Sequence, residues 1–254
     1  MNILAFFTIF ALALLVTLTT FASSLNCSDF LTTDIPDEIL QAKADMISIT
    51  TSNLDKWGDP DIQTILNEKG AILEAWYNDH RPDNEVELTT APWFATWYED
   101  TNIIASGAFV SLDRNNTFQV VRDGFYYNVA KLQVGLFSNF LFTTFLKGEF
   151  TIGEASDANT TCGLPRRNVI NLEFTRNLIR RGWIEPDQSL TELVDLVDNG
   201  TINTWRIPGP YGVTGQLWNL YVDEDIRVSV GGNVSDEEDG AGMFILVRQD
   251  LINP

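Results

Sequence analysis

Basic residues are scarce in this chain. Its 254 residues include 16 Lys and Arg against 35 Asp and Glu, a formal net charge of −19. That balance disfavours phosphate backbones, which are held by clustered cations that release counter-ions, and anionic membrane surfaces for the same reason. It suits solubility in a salty extracellular medium. Histidine is nearly absent: His80 stands alone at the end of an expected helix. With one histidine and two cysteines no zinc constellation can be assembled, so no metal and no cofactor are expected. A serine-nucleophile elbow, a phosphate-binding glycine loop and a dinucleotide fingerprint are also missing. Carboxylates are so abundant that no glycosidase-like pair stands out. The run Asp236–Asp239 lacks the ligand spacing of a calcium loop and reads as a solvated turn. No repeat of fixed period is present. The chain is therefore not expected to be an enzyme.

Charge is also missing from the first 20 residues, Met1–Thr20, which form one apolar run. Ala22, Ser23 and Ser24 follow with the small side chains that signal peptidase requires, so residues 1–24 read as a signal peptide despite an n-region without Lys or Arg. A single membrane anchor is the alternative, since the run is long enough to span. After cleavage no integral membrane segment is expected. Cys27 and Cys162 would pair in an oxidising compartment, closing a long loop worth roughly 4–5 kcal/mol in the entropic model. Glycosylation sequons begin at Asn26, Asn115, Asn159, Asn199 and Asn233. Five of them support passage through the secretory pathway and surface placement, with an extracellular or endomembrane destination.

The remaining residues, 25–254, suffice for one domain. Residues 33–80 read as a helical hairpin. Pro36, Asp37 and Glu38 suit a first turn, and Ile39, Leu40, Ala44, Met46 and Ile47 make an imperfect apolar stripe. Asp59 caps a second helix with Ile62, Ile65, Leu66, Ile72, Leu73 and Trp76 on one face. From Glu85 the pattern becomes β: Trp93–Tyr98, Ile103–Leu112, a turn at Asp113–Asn116, Thr117–Arg122, the hairpin signal Asp123-Gly124, Phe125–Val134, Phe140–Ile152 bent at Gly148, and Asn168–Thr175. Ser189 and Glu192 form a capping box for a short helix between late strands. Thr201–Ile207 reads as a strand. Trp218–Asp223, Ile226–Val230 and Met243–Val247 close the chain as alternating or apolar runs. Eight to ten strands in meander order, without βαβ alternation, make the chain mainly β. They argue for an antiparallel barrel or strongly curved sheet over residues 85–254, with helices at its rim.

Several segments carry a resemblance. They are Trp97-Tyr98 after the helical hairpin, Phe118-Gln119-Val120, Asn128-Val129-Ala130, Lys147-Gly148-Glu149-Phe150, and above all Tyr221, Asp223, Asp225, Ile226, Arg227, Val228, Gly231, Phe244 and Leu246. In this order they resemble the plastid lipid-associated proteins, also called fibrillins or plastoglobulins. Val230 stands where that family usually has Arg before the turn glycine, and Ser235–Asp239 lengthens the turn. The resemblance implies a lipocalin-like barrel that binds or carries an apolar small molecule of the lipid, quinone or pigment class, with peripheral lipid association. It also implies a plastid, so a complex plastid reached through a signal peptide is the alternative destination. Candidate ligand contacts are Trp97, Phe109, Tyr127, Phe142, Phe150, Phe174, Trp218 and Arg227; plain core packing competes for each aromatic. Arg227 reads either as paired with a nearby acid or as the anchor of an anionic head group. Two other readings stand beside the carrier: a barrel enzyme using a carboxylate acid/base pair, and a non-catalytic extracellular structural or interaction module. The closing hairpin is expected to pair with Trp93–Tyr98, with Asp225 and Arg227 side by side at that seam.

Overall fold

A computed structural model describes residues 35–99, 110–122, 124–134, 140–154, 168–183, 189–209, 212–233 and 242–249. The leader, Cys27, Cys162, Asn26, Asn159, Phe109 and the insert Ser235–Asp239 lie outside them. Among the described residues no helix is long and apolar enough to cross a membrane.

Among the described residues four α-helices form. Helix α1 (Asp37–Ser52) buries Ile39, Ala42, Met46 and Thr50, a strict i, i+3, i+7, i+11 face that leaves Leu40 exposed. A 3-10 turn (Leu54–Lys56) leads to α2 (Pro60–Asp79), where the Asp59 carboxylate accepts from the amides of Asp61 and Ile62 and so satisfies two otherwise orphaned donors. Gly70, in mid-helix, lets α2 approach the sheet: a Cβ there would sit 3.0 Å from Met243 Cε. Helix α3 (Glu85–Thr89) is only five residues long. The sequence pattern assigned it to the start of the β region, because one turn offers no periodicity to read. Helix α4 (Leu190–Asp198) starts at the expected Ser189/Glu192 capping box and buries Leu190, Leu193, Val194 and Val197.

The described residues form nine strands: β1 (Pro92–Tyr98), β2 (Val110–Arg122), β3 (Phe125–Val134), β4 (Phe140–Glu154), β5 (Asn168–Arg181), β6 (Trp205–Arg206), β7 (Thr214–Val222), β8 (Ile226–Asn233) and β9 (Gly242–Arg248). The turn expected at Asp113–Asn116 is a register shift inside β2, not a break. The long strand expected over Thr201–Ile207 shrinks to two residues.

The strand order is β4-β3-β2-β1-β9-β8-β7-β5-β6, with β4 also pairing β5. The sheet is thus an irregular ring, and the expected lipocalin-like barrel is not what these residues form. Two features break the regularity. One edge of β5 is shared, its first half pairing β7 at Val169–Glu173 and its second half pairing the outlying β6 at Leu178 and Ile179. Register shifts also interrupt four strand pairs, at Ala95/Trp97, Asp113/Thr117, Lys147/Gly148 and Asn219/Tyr221. Each such shift bends its strand and swaps the faces that later side chains occupy.

The registers sort the side chains, because directly paired residues share a face. Tyr98, Phe244, Ser229 and Asn219 line up across β1, β9, β8 and β7. Gln119 and Asn128 pair across β2 and β3, as do Val121 and Tyr126. Phe150 pairs with Leu172, and Ile170 with Leu217. This face looks into the ring. The opposite face carries two outer layers. Helices α1 and α2 cover Trp97, Tyr221, Ile245 and Met243, with Trp97 Nε1 donating to Gln63 Oε1 at 2.6 Å and Tyr77 packed on Tyr221 at 5.4 Å. Helix α4 covers Phe94, Phe118, Tyr127, Val129, Phe145 and Leu178.

Candidate functional site

Strand β9 does pair with β1, but the Asp225–Arg227 neighbourhood expected at that seam does not form. Asp225 lies in the β7–β8 turn, before the strand begins, so the two side chains go to different places. Lys43 Nζ bridges Asp225 and Asp223 at 2.5 and 2.6 Å. Arg227 points into the ring and is 0 % exposed.

The surroundings of Arg227 are polar but neutral. Its Nε donates to Asn219 Oδ1 at 3.0 Å and its Nη1 to Gln119 Oε1 at 3.3 Å. Its guanidinium carbon lies 5.7 Å from the Phe244 ring centroid, a cation–π geometry. The Ser229 hydroxyl donates to the same Asn219 oxygen at 2.8 Å. Gln119 Nε2 donates to the Tyr98 hydroxyl oxygen at 3.1 Å. Nη2 has no partner. Among the described residues no carboxylate forms an ion pair with Arg227. Burial pulls its pKa below the usual arginine value, with the fields of Tyr126, Tyr98 and Glu85 opposing. Burial also pushes the Tyr98 phenol up to about 12 and raises that of Tyr126, so both stay protonated and able to donate.

Helix α3 supplies the other end of this polar chain. Arg81 Nη1 donates to Glu85 Oε1 at 2.7 Å, with both side chains almost fully buried. Glu85 also accepts from Asn168 Nδ2 at 2.7 Å and from Asn219 Nδ2 at 3.3 Å, and Asn219 donates to Thr89 Oγ1 at 2.9 Å. Hydrogen bonds therefore run from Arg81 through Glu85, Asn219, Arg227 and Gln119 to Tyr98. The arrangement holds two guanidinium charges and one carboxylate, and the carboxylate is committed to Arg81. Beside it lies a void of about 10 Å³, lined by Glu85, Thr89, Val121, Phe150, Ile170 and Asn219 among others, room for roughly one water. The rest of this interior is tight. A Cβ on Gly231 would collide with Leu217 Cδ2 and lie 3.1 Å from Phe244 Cε1, and one on Gly148 would collide with Leu172 Cδ1.

No protein-family model, curated protein or solved structure matches this chain.

The resemblance to the plastid lipid-associated family therefore falls, and with it the lipocalin-like carrier. An apolar ligand needs a closed barrel around an apolar cavity; the strands form an irregular ring with a charged, hydrogen-bonded interior. A carboxylate pair in a barrel mouth loses its scaffold in the same way. Among the described residues no three His, Cys, Asp or Glu side chains gather as a metal-ligand set.

The residues named from sequence are scattered. Phe142, Phe150, Phe174 and Arg227 lie on the inward face by register, whereas Trp97, Tyr127 and Trp218 lie on the outward one. Tyr127 sits beneath α4, where its hydroxyl donates to Asp198. Lys147 Nζ reaches the same carboxylate at 2.8 Å and lies 3.8 Å from the Phe125 ring centroid. Burial, then Asp198, raises the Tyr127 pKa. This cluster ties α4 to the ring. Asn115 and Asn199 are exposed, as sequon asparagines must be. Sequence reasoning missed Gln119, Asn219, Ser229, Tyr98, Tyr126, Arg81 and Glu85 as a group. The available signal was a run of polar residues at inward positions of otherwise apolar strands.

Proposed function

We propose that this protein is a binding protein for a small anion, held inside the ring at Arg227. One observation carries the reading: a fully buried guanidinium hydrogen-bonded only to neutral amides, with Nη2 unpartnered. Burying an uncompensated charge costs several kcal/mol, and buried charges are ordinarily paired. A bound anion supplies the missing partner and completes the donor set. The leader-like segment Met1–Ser24 and the five sequons support an exported, glycosylated setting, where small anions are plentiful.

The test is thermal unfolding of the full chain in sodium chloride against sodium gluconate at one ionic strength. Matching ionic strength matters because a chain of net charge −19 is stabilised by screening in any salt. At a chloride concentration 100 times its Kd, binding adds about 2.7 kcal/mol, or roughly 5–10 °C in Tm for a chain of this size. Arg227→Met should remove the difference between the two salts. Equal Tm values in both salts for the native chain would refute the reading.

A further inference from the structure

The interior geometry also restricts which anions fit, an inference that rests on the anion-binding reading. Charge sets the first restriction. Arg227 brings one positive charge without a counter-ion, while Glu85 is already paired with Arg81 and reaches Arg227 through Asn219. A monoanion neutralises the interior; a dianion leaves an excess negative charge that Glu85 repels.

Donor geometry sets the second restriction. Nε and Nη1 are engaged, so the two-pronged fork that arginine offers to carboxylate and phosphate is already in use. Nη2 alone is wholly unpartnered, and it meets a ligand through a single nitrogen. The Tyr98 hydroxyl accepts from Gln119, which turns its own proton away from that amide. Val121 and Tyr126 are paired on the same inward face, and the Tyr126 hydroxyl oxygen accepts from the Asn128 amide. Nη2 and the Tyr98 proton are thus available to one small acceptor, with Tyr126 on the same inward face. Room sets the third restriction. Phe244, whose ring faces the guanidinium, also crowds the backbone at Gly231 together with Leu217, so a ligand of more than a few atoms would have to displace core side chains.

We propose that the Arg227 site selects small monoanions, of the halide, nitrate, formate or acetate class, bound end-on, over sulfate, phosphate and longer carboxylates.

The experiment is a titration of the full chain with the sodium salts of chloride, nitrate, acetate, hexanoate and sulfate at fixed ionic strength, read by Tm and by shifts of side-chain NMR signals. The native chain should bind the first three at least about tenfold more tightly than sulfate or hexanoate. Gln119→Glu is the companion variant. It is nearly isosteric, places a carboxylate beside Arg227 Nη1 and can accept the Tyr98 proton, so the fold should persist while chloride affinity drops at least about tenfold. Tyr98→Phe should weaken chloride binding without abolishing it. Equal affinity for sulfate and chloride would overturn the selectivity and leave anion binding standing; tighter hexanoate binding would overturn the size restriction. No anion response in the native chain would overturn both proposals. A folded Gln119→Glu variant with unchanged chloride affinity would remove Arg227 as the site.

Discussion

Substituting Glu85 probes how the polar interior is held together. Glu85→Gln keeps the shape of the side chain but removes the charge facing Arg81 across 2.7 Å, with both side chains almost fully buried. The new amide also has a single acceptor oxygen for three donors: Arg81 Nη1, Asn168 Nδ2 and Asn219 Nδ2. At least one of them must then face an NH2 group. Breaking a buried pair from one side costs about 3–5 kcal/mol, mostly because the surviving charge is left uncompensated. For a chain of this size that lowers Tm by roughly 6–20 °C. Removing both partners, Arg81→Leu with Glu85→Leu, eliminates the stranded charge and should recover more than half of the loss. Urea unfolding of Glu85→Leu, Arg81→Leu and the double closes a double-mutant cycle, with an unchanged m-value showing that compactness is preserved. A single-variant cost below about 1 kcal/mol, the worth of an exposed pair, would refute the reading of Arg81 and Glu85 as a buried charge pair that anchors the polar chain.

Two further outcomes follow from the geometry. Gly231→Ala should destabilise by about 1–3 kcal/mol through overpacking against Leu217 and Phe244, and Leu217→Ala in the same chain should cost less than it does alone; additive losses in denaturant unfolding would show the contact is not tight. Burial opposes the charge on Lys43, and the hydrogen bonds it donates to Asp223 and Asp225 overcome that cost and raise its pKa above 10.5. A folded-state pKa above the unfolded one gives stability that is fully present below 10.5 and lost as pH rises through the folded value. The native chain should therefore lose urea stability over the Lys43→Met variant between about pH 10 and 12, by under about 1 kcal/mol. Tyrosines away from the bridge titrate in both chains and cancel in the difference, and Tyr221→Phe in both chains removes the one whose hydroxyl shares the Asp223 carboxylate.

Local signals told of the helices and most strands. Asp59 before Pro60 and the Ser189/Glu192 capping box announce α2 and α4 because caps satisfy donors within three residues. The closing hairpin was legible from alternation; its pairing with β1 was expected from closure of a barrel, and the pairing is present although the barrel is not. What escaped depends on distance. A register shift such as the one between Asn219 and Tyr221 is set by the partner strand, so the face taken by each side chain cannot be counted from one end. That is why Trp97 and Tyr127 looked like interior aromatics and are helix contacts. Asp225 and Arg227 looked like neighbours two residues apart, yet the turn exposes one and the strand buries the other. The partners of Arg227, Gln119 and Asn219, lie 108 and 8 residues away, and no sequence spacing joins them. The ring departs from a regular barrel for a similar reason: β6 takes half an edge of β5, a competition between segments that neither shows alone.

The most direct test of the central claim is a crystal structure of the mature chain grown in sodium bromide, with data collected at the bromine absorption edge. The account predicts an anomalous peak inside the ring, in hydrogen-bonding contact with Arg227 Nη2 and with the Tyr98 or Tyr126 hydroxyl. An interior without an anomalous peak, with Nη2 bonded to water alone, would contradict it.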